Sequence, residues 1–183
     1  MSADRELVEA VLARRAGAFE RLVREYQGLV GHIVFRLVRH PDDANELSQE
    51  AFLRVHRQLH QFRYDSPLKA WIGRIAYTIA LRHLERRAHG TAVDDPGVLE
   101  SIGAGEDVES ALAAEESAAI VRAAVDALPP LQRTLVSLYH LEELSIPDIA
   151  VITGLPVGTI KSHLSRTRRA LRRVLEQRMG VDA

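Results

Sequence analysis

Leu144-Ser-Ile-Pro-Asp-Ile-Ala150, followed after three residues by Gly154-Leu-Pro-Val-Gly-Thr-Ile-Lys-Ser-His-Leu-Ser-Arg-Thr-Arg-Arg-Ala-Leu-Arg-Arg-Val-Leu175, carries the punctuation of a helix-turn-helix. Ser145 is placed to cap a short helix, and Asp148, three residues on, completes a capping-box-like pair. Ala150 is small enough to let a second helix cross closely. Gly154 can take the left-handed conformation that ends the first helix. Pro156 keeps Leu155 extended and forces a break. A second helix is predicted from about Val157 to Arg178.

On a wheel of about 100° per residue, Ile160, Leu164, Thr167, Leu171, Val174 and Leu175 share one arc of about 100°. Lys161, Ser162, Ser165, Arg166, Arg168, Arg169, Arg172 and Arg173 occupy the remainder. Short hydroxyl side chains among cations near a helix start suit a major groove, where Arg and Lys reach guanine edges and phosphates. The plain alternative is a surface helix with a solvated Arg face. The turn signals just upstream favour DNA binding.

The charge distribution supports that reading. The 183 residues, 46% of them hydrophobic, carry a net charge of −1. Residues 1–87 are net +4, residues 88–130 net −8 and residues 131–183 net +3. Two basic blocks therefore flank an acidic middle. Cysteine is absent, which excludes a disulfide framework, a thiolate metal site and a cysteine nucleophile. No apolar run is long enough to span a bilayer, and Met1-Ser-Ala-Asp-Arg-Glu6 has no secretion signal, so a cytoplasmic protein without membrane contact is expected.

The rest of the chain also reads as helical. Apolar periodicity predicts helices over about 4–15, 17–38, 42–60, 67–88, 108–127 and 130–142, and no strands. His40-Pro-Asp-Asp43 marks one break and Phe62-Arg-Tyr-Asp-Ser-Pro67 another, with Ser66 as the expected cap and Pro67 in the first helical position. Residues 89–107 lack periodicity and are rich in Gly, Ala, Asp, Pro and Glu, as in a flexible acidic linker. The expected architecture is all-α: two small helical domains, 1–88 and 108–183, joined by that linker.

Two N-terminal blocks carry further information. In Asp43–Arg57, Ala44, Leu47, Ala51, Phe52 and Val55, with Leu59, form a buried arc, whereas Leu53 falls among Glu46, Gln49, Glu50 and Arg57. Leu53 is either a small protein-contact patch or a lone exposed leucine. In the second block, Phe62, Tyr64, Trp71 and Tyr77 alternate with Arg63, Lys69, Arg74 and Arg82. Aromatics that stack on unpaired bases, with cations along the phosphates, are what holding a melted strand requires. Trp71 and Tyr77 also suit ordinary packing. On the helix predicted over 67–88, Leu68, Ile72, Ile75 and Ile79 form the core stripe, and Trp71, Arg74 and Thr78 share a flank.

Leu-x-Gln-Glu-x-Phe-Leu-Arg-Val from Leu47, Ala-Trp-Ile-x-Arg-Ile-Ala from Ala70, and Leu-Pro-Pro-x-Gln-Arg from Leu128 with Pro-Val-Gly-Thr-Ile-Lys-Ser from Pro156 are specific in combination. Across nearly its whole length the chain resembles the extracytoplasmic-function (ECF) sigma factors of the bacterial primary-sigma superfamily. The resemblance implies that Asp43, Glu46, Leu47, Gln49, Glu50, Leu53, Arg54 and Arg57 dock on the clamp helices of the largest subunit of core RNA polymerase. It implies that Phe62, Arg63, Tyr64, Lys69, Trp71, Arg74 and Thr78 recognise and melt the minus-10 promoter element. Thr159, Lys161, Ser162, His163, Ser165, Arg166 and Arg169 would read the minus-35 element. The polymerase flap region and an anti-sigma factor are the other implied partners. The chain departs from the family at Thr78, where Asn is frequent, and at Arg82, His56 and His163. Thr78 keeps a hydroxyl but lacks an amide that pairs bidentately with a base.

A stand-alone helix-turn-helix regulator would leave Asp43–Arg57 and the aromatic-basic block without a role. A degenerate sigma that titrates a partner is a further alternative. No enzyme is expected: the eight histidines lack companion ligands at metal spacing, and Gly103-Ala-Gly105 follows no strand. No metal and no cofactor are expected.

Overall fold

A computed structural model describes residues 3–89 and 110–179, with the backbone alone at 110–117, 178 and 179. The described residues contain no strand. They form α1 (Ala3–Leu12), α2 (Ala18–Val38), α3 (Pro41–Gln58), a 3₁₀ turn (Leu59–Gln61), α4 (Leu68–His89), α5 (Ser110–Asp126), α6 (Pro130–His140), α7 (Ile146–Thr153) and α8 (Val157–Met179). The acidic linker expected at 89–107 lies, beyond His89, outside the described residues.

The helix boundaries follow local chemistry. Gly17 (φ 75°) turns the chain into α2, and Arg39 (φ 62°) ends it with its amide donating to the Phe35 carbonyl. Pro41 opens α3 and Pro130 opens α6, positions where a missing N–H costs nothing. The Ser145 hydroxyl accepts from the Asp148 amide at 3.2 Å, and Gly154 closes α7 at φ 73°. One expected cap is replaced: the Leu68 amide at the start of α4 donates to the Asp4 carboxylate at 3.1 Å, and Ser66 makes no such bond. Asp4 Oδ1 also accepts from the Tyr26 hydroxyl at 3.3 Å, so one side chain ties α1 to α2 and α4. Burial, with Asp4 and Glu25 nearby, holds the Tyr26 phenol well above its ordinary pKa.

Helices α2, α3 and α4 pack on one another as an N-terminal domain, with α1 laid against α2. Helices α5, α6 and α7 pack against α8 as a C-terminal domain. The two are docked rather than merely tethered: α4 packs on α7, α2 packs on α6, and the buried side chains of both domains form one continuous cluster.

Helix α4 shows why docking occurs. Besides Leu68, Ile72, Ile75 and Ile79 it buries Ala70, Gly73, Ala76, Tyr77 and Ala80, so apolar surface extends beyond a single stripe. At Gly73, a Cβ would stand 2.9 Å from Ile152 Cδ1 and 3.3 Å from Ile33 Cδ1. The missing side chain is the notch into which α7 seats Ile152, itself 1% exposed.

Candidate nucleic-acid and polymerase interfaces

Helix α8 divides as its sequence implies. Ile160, Leu164 and Thr167 are buried, and Leu171, Val174 and Leu175 half-buried. Lys161, Ser162, Ser165, Arg166, Arg168, Arg169, Arg172 and Arg173 are all exposed. Lys161, Ser162, Ser165, Arg166 and Arg169 line a shallow concavity. Arg166 Nε donates to the Ser162 carbonyl at 3.3 Å, and Arg169 reaches the Ser165 hydroxyl at 3.5 Å. Among the described residues no carboxylate pairs with any of these cations, so their charge remains available to phosphates. Two expected contacts sit less openly. Thr159 is half-buried, and His163 is half-buried with its Nδ1 enclosed and unpartnered, because it flanks the core stripe.

The aromatic-basic block is organised more tightly than its sequence implies. Phe62 is a core residue, 8% exposed, with its ring 4.7 Å from Tyr64 and 5.4 Å from Trp71; this corrects its assignment as a base-stacking platform. Tyr64 is exposed, adopts φ 62°, and carries the Arg5 guanidinium 4.8 Å above its ring. Tyr77 is buried, and burial raises its phenol pKa. Trp71 is half-buried and Arg63 exposed. Three further members are engaged. Arg74 donates to the Val151 carbonyl of α7 at 3.0 Å, Lys69 Nζ lies 3.9 Å from Asp148 Oδ2, and the Thr78 hydroxyl donates to the Arg74 carbonyl at 2.8 Å. Thr78 thus spends its donor on its own helix.

On α3, Leu53 is 56% exposed, with exposed Glu46, Gln49 and Arg57 on the same helix. Glu50 and Arg54 form an i,i+4 pair at 3.0 Å. Asp43 is held by Arg87 at 2.9 Å and lies 3.4 Å from His83, which fixes the start of α3 against α4. Leu47 is 4% exposed and belongs to the core, so its inclusion among surface docking residues is corrected: it faces α2 and α4 rather than a partner.

The residues that sequence reading passed over lie between the domains. Arg133, 3% exposed, donates to the carbonyls of Arg36 (2.7 Å), Asp126 (3.1 Å) and Leu128 (3.2 Å). Arg36 is in the last turn of α2, while Asp126 and Leu128 end and follow α5. One guanidinium thereby caps the C-terminal carbonyls of a helix in each domain. Burial lowers its pKa to about 10, with Arg39 and Arg36 adding to the effect and Asp126 opposing it. Arg36 pairs with Asp126 at 3.0 Å, and Arg39 donates to the Asp126 carbonyl at 2.9 Å. His32 meets Glu142 across the same boundary.

Comparison with known proteins fits this geometry. Sigma-70 region 2 matches residues 22–90, and Sigma-70, region 4 matches residues 118–171. The RNA polymerase sigma-H factor of Pseudomonas aeruginosa is 34% identical over 181 residues, covering 94% of each chain. The chain belongs to the ECF sigma factors. The ECF RNA polymerase sigma-E factor of Escherichia coli (strain K12) is 36% identical over 176 residues, covering 92% of each chain. As an ECF sigma factor the chain acts in transcription initiation, binding core RNA polymerase and directing it to promoters. Among solved structures, CnrH in complex with the cytosolic domain of CnrY aligns with TM-score 0.68 and 22% identity over 96% of this chain and 99% of that one. The sigma factor RpoE in complex with the anti-sigma factor NepR, from Bartonella quintana, aligns with TM-score 0.69 and 22% identity over 92% and 100%. At that identity the two structures speak for the fold. Among the described residues no helix is long and apolar enough to cross a membrane, and no group of three or more His, Asp or Glu side chains is placed to hold a metal.

Proposed function

We propose that this sigma factor divides promoter recognition between its domains, with α8 entering the major groove at the minus-35 element. The observation that carries this reading is the acid-free face of Lys161, Ser162, Ser165, Arg166 and Arg169 at the start of the second helix of a helix-turn-helix. Thr159 and His163 border that face. Arg63, Tyr64, Lys69, Trp71 and Arg74, on α4 and the loop before it, hold the melted minus-10 strand through stacking and phosphate contacts. Phe62 and Thr78 support that surface from behind.

Leu53, ringed by Glu46, Gln49 and Arg57, docks on the clamp helices of the largest polymerase subunit. An apolar patch inside a charged rim has the composition of a protein interface. The flap region of polymerase takes the apolar cleft between α6 and α8 lined by Val136, Leu164, Leu171 and Leu175. Control by an anti-sigma factor is supported by the solved complex of the sigma factor RpoE with the anti-sigma factor NepR, whose sigma chain shares this fold. The protein works in the cytoplasm, where these partners reside.

The test is run-off transcription with core polymerase on a random promoter library. Selective initiation is expected only with both components present. Tight sequence-specific binding by the sigma chain alone would instead identify a stand-alone regulator.

A further inference from the structure

We infer that α1 belongs to the surface that holds the melted minus-10 strand, with Arg5 donating to a backbone phosphate from above Tyr64. The inference rests on the assignment of Tyr64 and Trp71 to that strand. The match to Sigma-70 region 2 begins at residue 22, so α1 lies outside it. The fold nevertheless builds α1 into the aromatic-basic block. Leu7, Val8 and Val11 are buried and anchor the helix, while Arg5 is exposed. Asp4 accepts from the Leu68 amide at 3.1 Å and from the Tyr26 hydroxyl at 3.3 Å, which pins the first turn of α1 to the start of α4. The residues that follow Asp4 and Leu68 in the chain are Arg5 and Lys69. The bond that caps α4 therefore brings a cation of α1 to the end of α4 that carries Lys69 and Trp71.

The aromatic contacts show what Arg5 does there. Its guanidinium stands 4.8 Å above the Tyr64 ring. Tyr64 lies 4.7 Å from Phe62, and Phe62 lies 5.4 Å from Trp71. One chain of contacts thus runs from Arg5 to Trp71, with buried Phe62 as its centre. Tyr64 is held at φ 62°, a conformation that a bulky residue keeps only when its surroundings enforce it. A base stacking on the same face of Tyr64 would meet the guanidinium. The strand therefore takes its base stacking from half-buried Trp71, and Tyr64 serves it by carrying Arg5. A guanidinium over an aromatic face donates in its own plane, so contact with the ring and hydrogen bonds to phosphate oxygens are compatible. Resting on the ring also restrains a long side chain, which lowers the entropy lost when phosphate is bound.

The probe is a forked fragment of a promoter selected from the random library, with one strand of the minus-10 element left single, bound by the full chain together with core polymerase. Arg5→Ala should weaken binding roughly fivefold, the upper range for one solvent-exposed ion pair. It should also lower the slope of log affinity against log salt by about 0.7, the value for one phosphate contact on a single strand. Arg5→Lys should restore the slope. Tyr64→Leu should lose affinity through the same contact, so the double variant should bind little worse than Arg5→Ala alone. If Arg5 only packs, its removal would lower the melting temperature and leave the salt slope as it was. An unchanged slope in Arg5→Ala would therefore overturn the inference, as would fully additive losses in the double variant. If Arg5→Ala loses helix content, Arg5→Gln, which keeps a long stem and good helix propensity without the charge, is judged by the same slope. Trp71→Ala is measured alongside. Weakened fork binding by Trp71→Ala, with Arg5→Ala at wild-type affinity, overturns this inference alone. If neither variant matters, the minus-10 assignment fails and the inference falls with it.

Discussion

Replacing Arg133 with Met keeps an apolar stem of similar length and deletes the guanidinium that joins the two domains. Three hydrogen bonds from a buried cation are lost. The Asp126 carbonyl keeps Arg39 as a donor at 2.9 Å, and the Asp126 carboxylate keeps Arg36 at 3.0 Å, so no buried charge is left without a partner. The Arg36 and Leu128 carbonyls bear the loss. At about 1–2 kcal/mol for each of these two, offset by the desolvation that a buried guanidinium no longer incurs, the net destabilisation is roughly 2–3 kcal/mol. The depressed pKa of Arg133, about 10, marks that desolvation. For a single cooperative unit of this size, 1 kcal/mol lowers Tm by about 2–4 °C, so a fall of roughly 4–12 °C is expected. Calorimetry should be paired with fluorescence energy transfer between dyes on α3 and α8. Energy transfer and helix content should be lost together at the lowered Tm, as a single cooperative unit requires. Arg133→Lys should recover little, since an ammonium lacks the planar fork that reaches separate carbonyls. A variant that melts as one transition within about 1 °C of wild type, with energy transfer unchanged, would refute the argument.

Leu53→Asp should weaken binding to core polymerase at least tenfold while changing folding stability by less than about 0.5 kcal/mol, because the side chain is 56% exposed; early melting with normal binding would place Leu53 in the core instead. Lys161→Ala and Arg166→Ala should both reduce minus-35 binding. A base contact relaxes preference at one position at a cost of roughly 1–3 kcal/mol, and a phosphate contact weakens all sequences and flattens the salt dependence; unchanged affinity and salt slope in both would remove α8 from the groove. Tyr26 ionises above its ordinary value, so its contribution to stability is complete below pH 10 and declines as pH rises beyond it. In alkaline titrations followed by phenolate absorbance, Tyr26→Phe should delete a late step and make stability above about pH 10 less steep; loss of a step at the ordinary phenol value instead would show that burial beside Asp4 does not hold Tyr26 neutral.

The helices were legible in the sequence because their determinants are neighbours in the chain. Periodicity of 3.6, the Ser145 cap, Gly154 after α7 and Pro41 and Pro130 at helix starts all act within one or two turns. The same locality explains the separation of apolar and basic faces on α8 and the exposure of Leu53. The combined motifs then carried the family. What escaped was what depends on partners distant in sequence. Asp4 caps α4 across more than sixty positions (|i−j| = 64), and Phe62 turns inward once Trp71 is available to pack against. In sequence Arg133 only closes the Leu-Pro-Pro-x-Gln-Arg motif; its role emerges where the carbonyl ends of α2 and α5 meet around it. Domain docking left one trace, Gly73 in the middle of a helix, where glycine is unfavourable unless another element needs the space. Sequence alone determined which segments are helical and how the apolar and basic faces of α8 divide, since these follow from spacing within a helix. Only the tertiary structure decided that α7 covers α4, because that depends on whether Ile152 and the notch at Gly73, 79 positions apart, fit one another in shape.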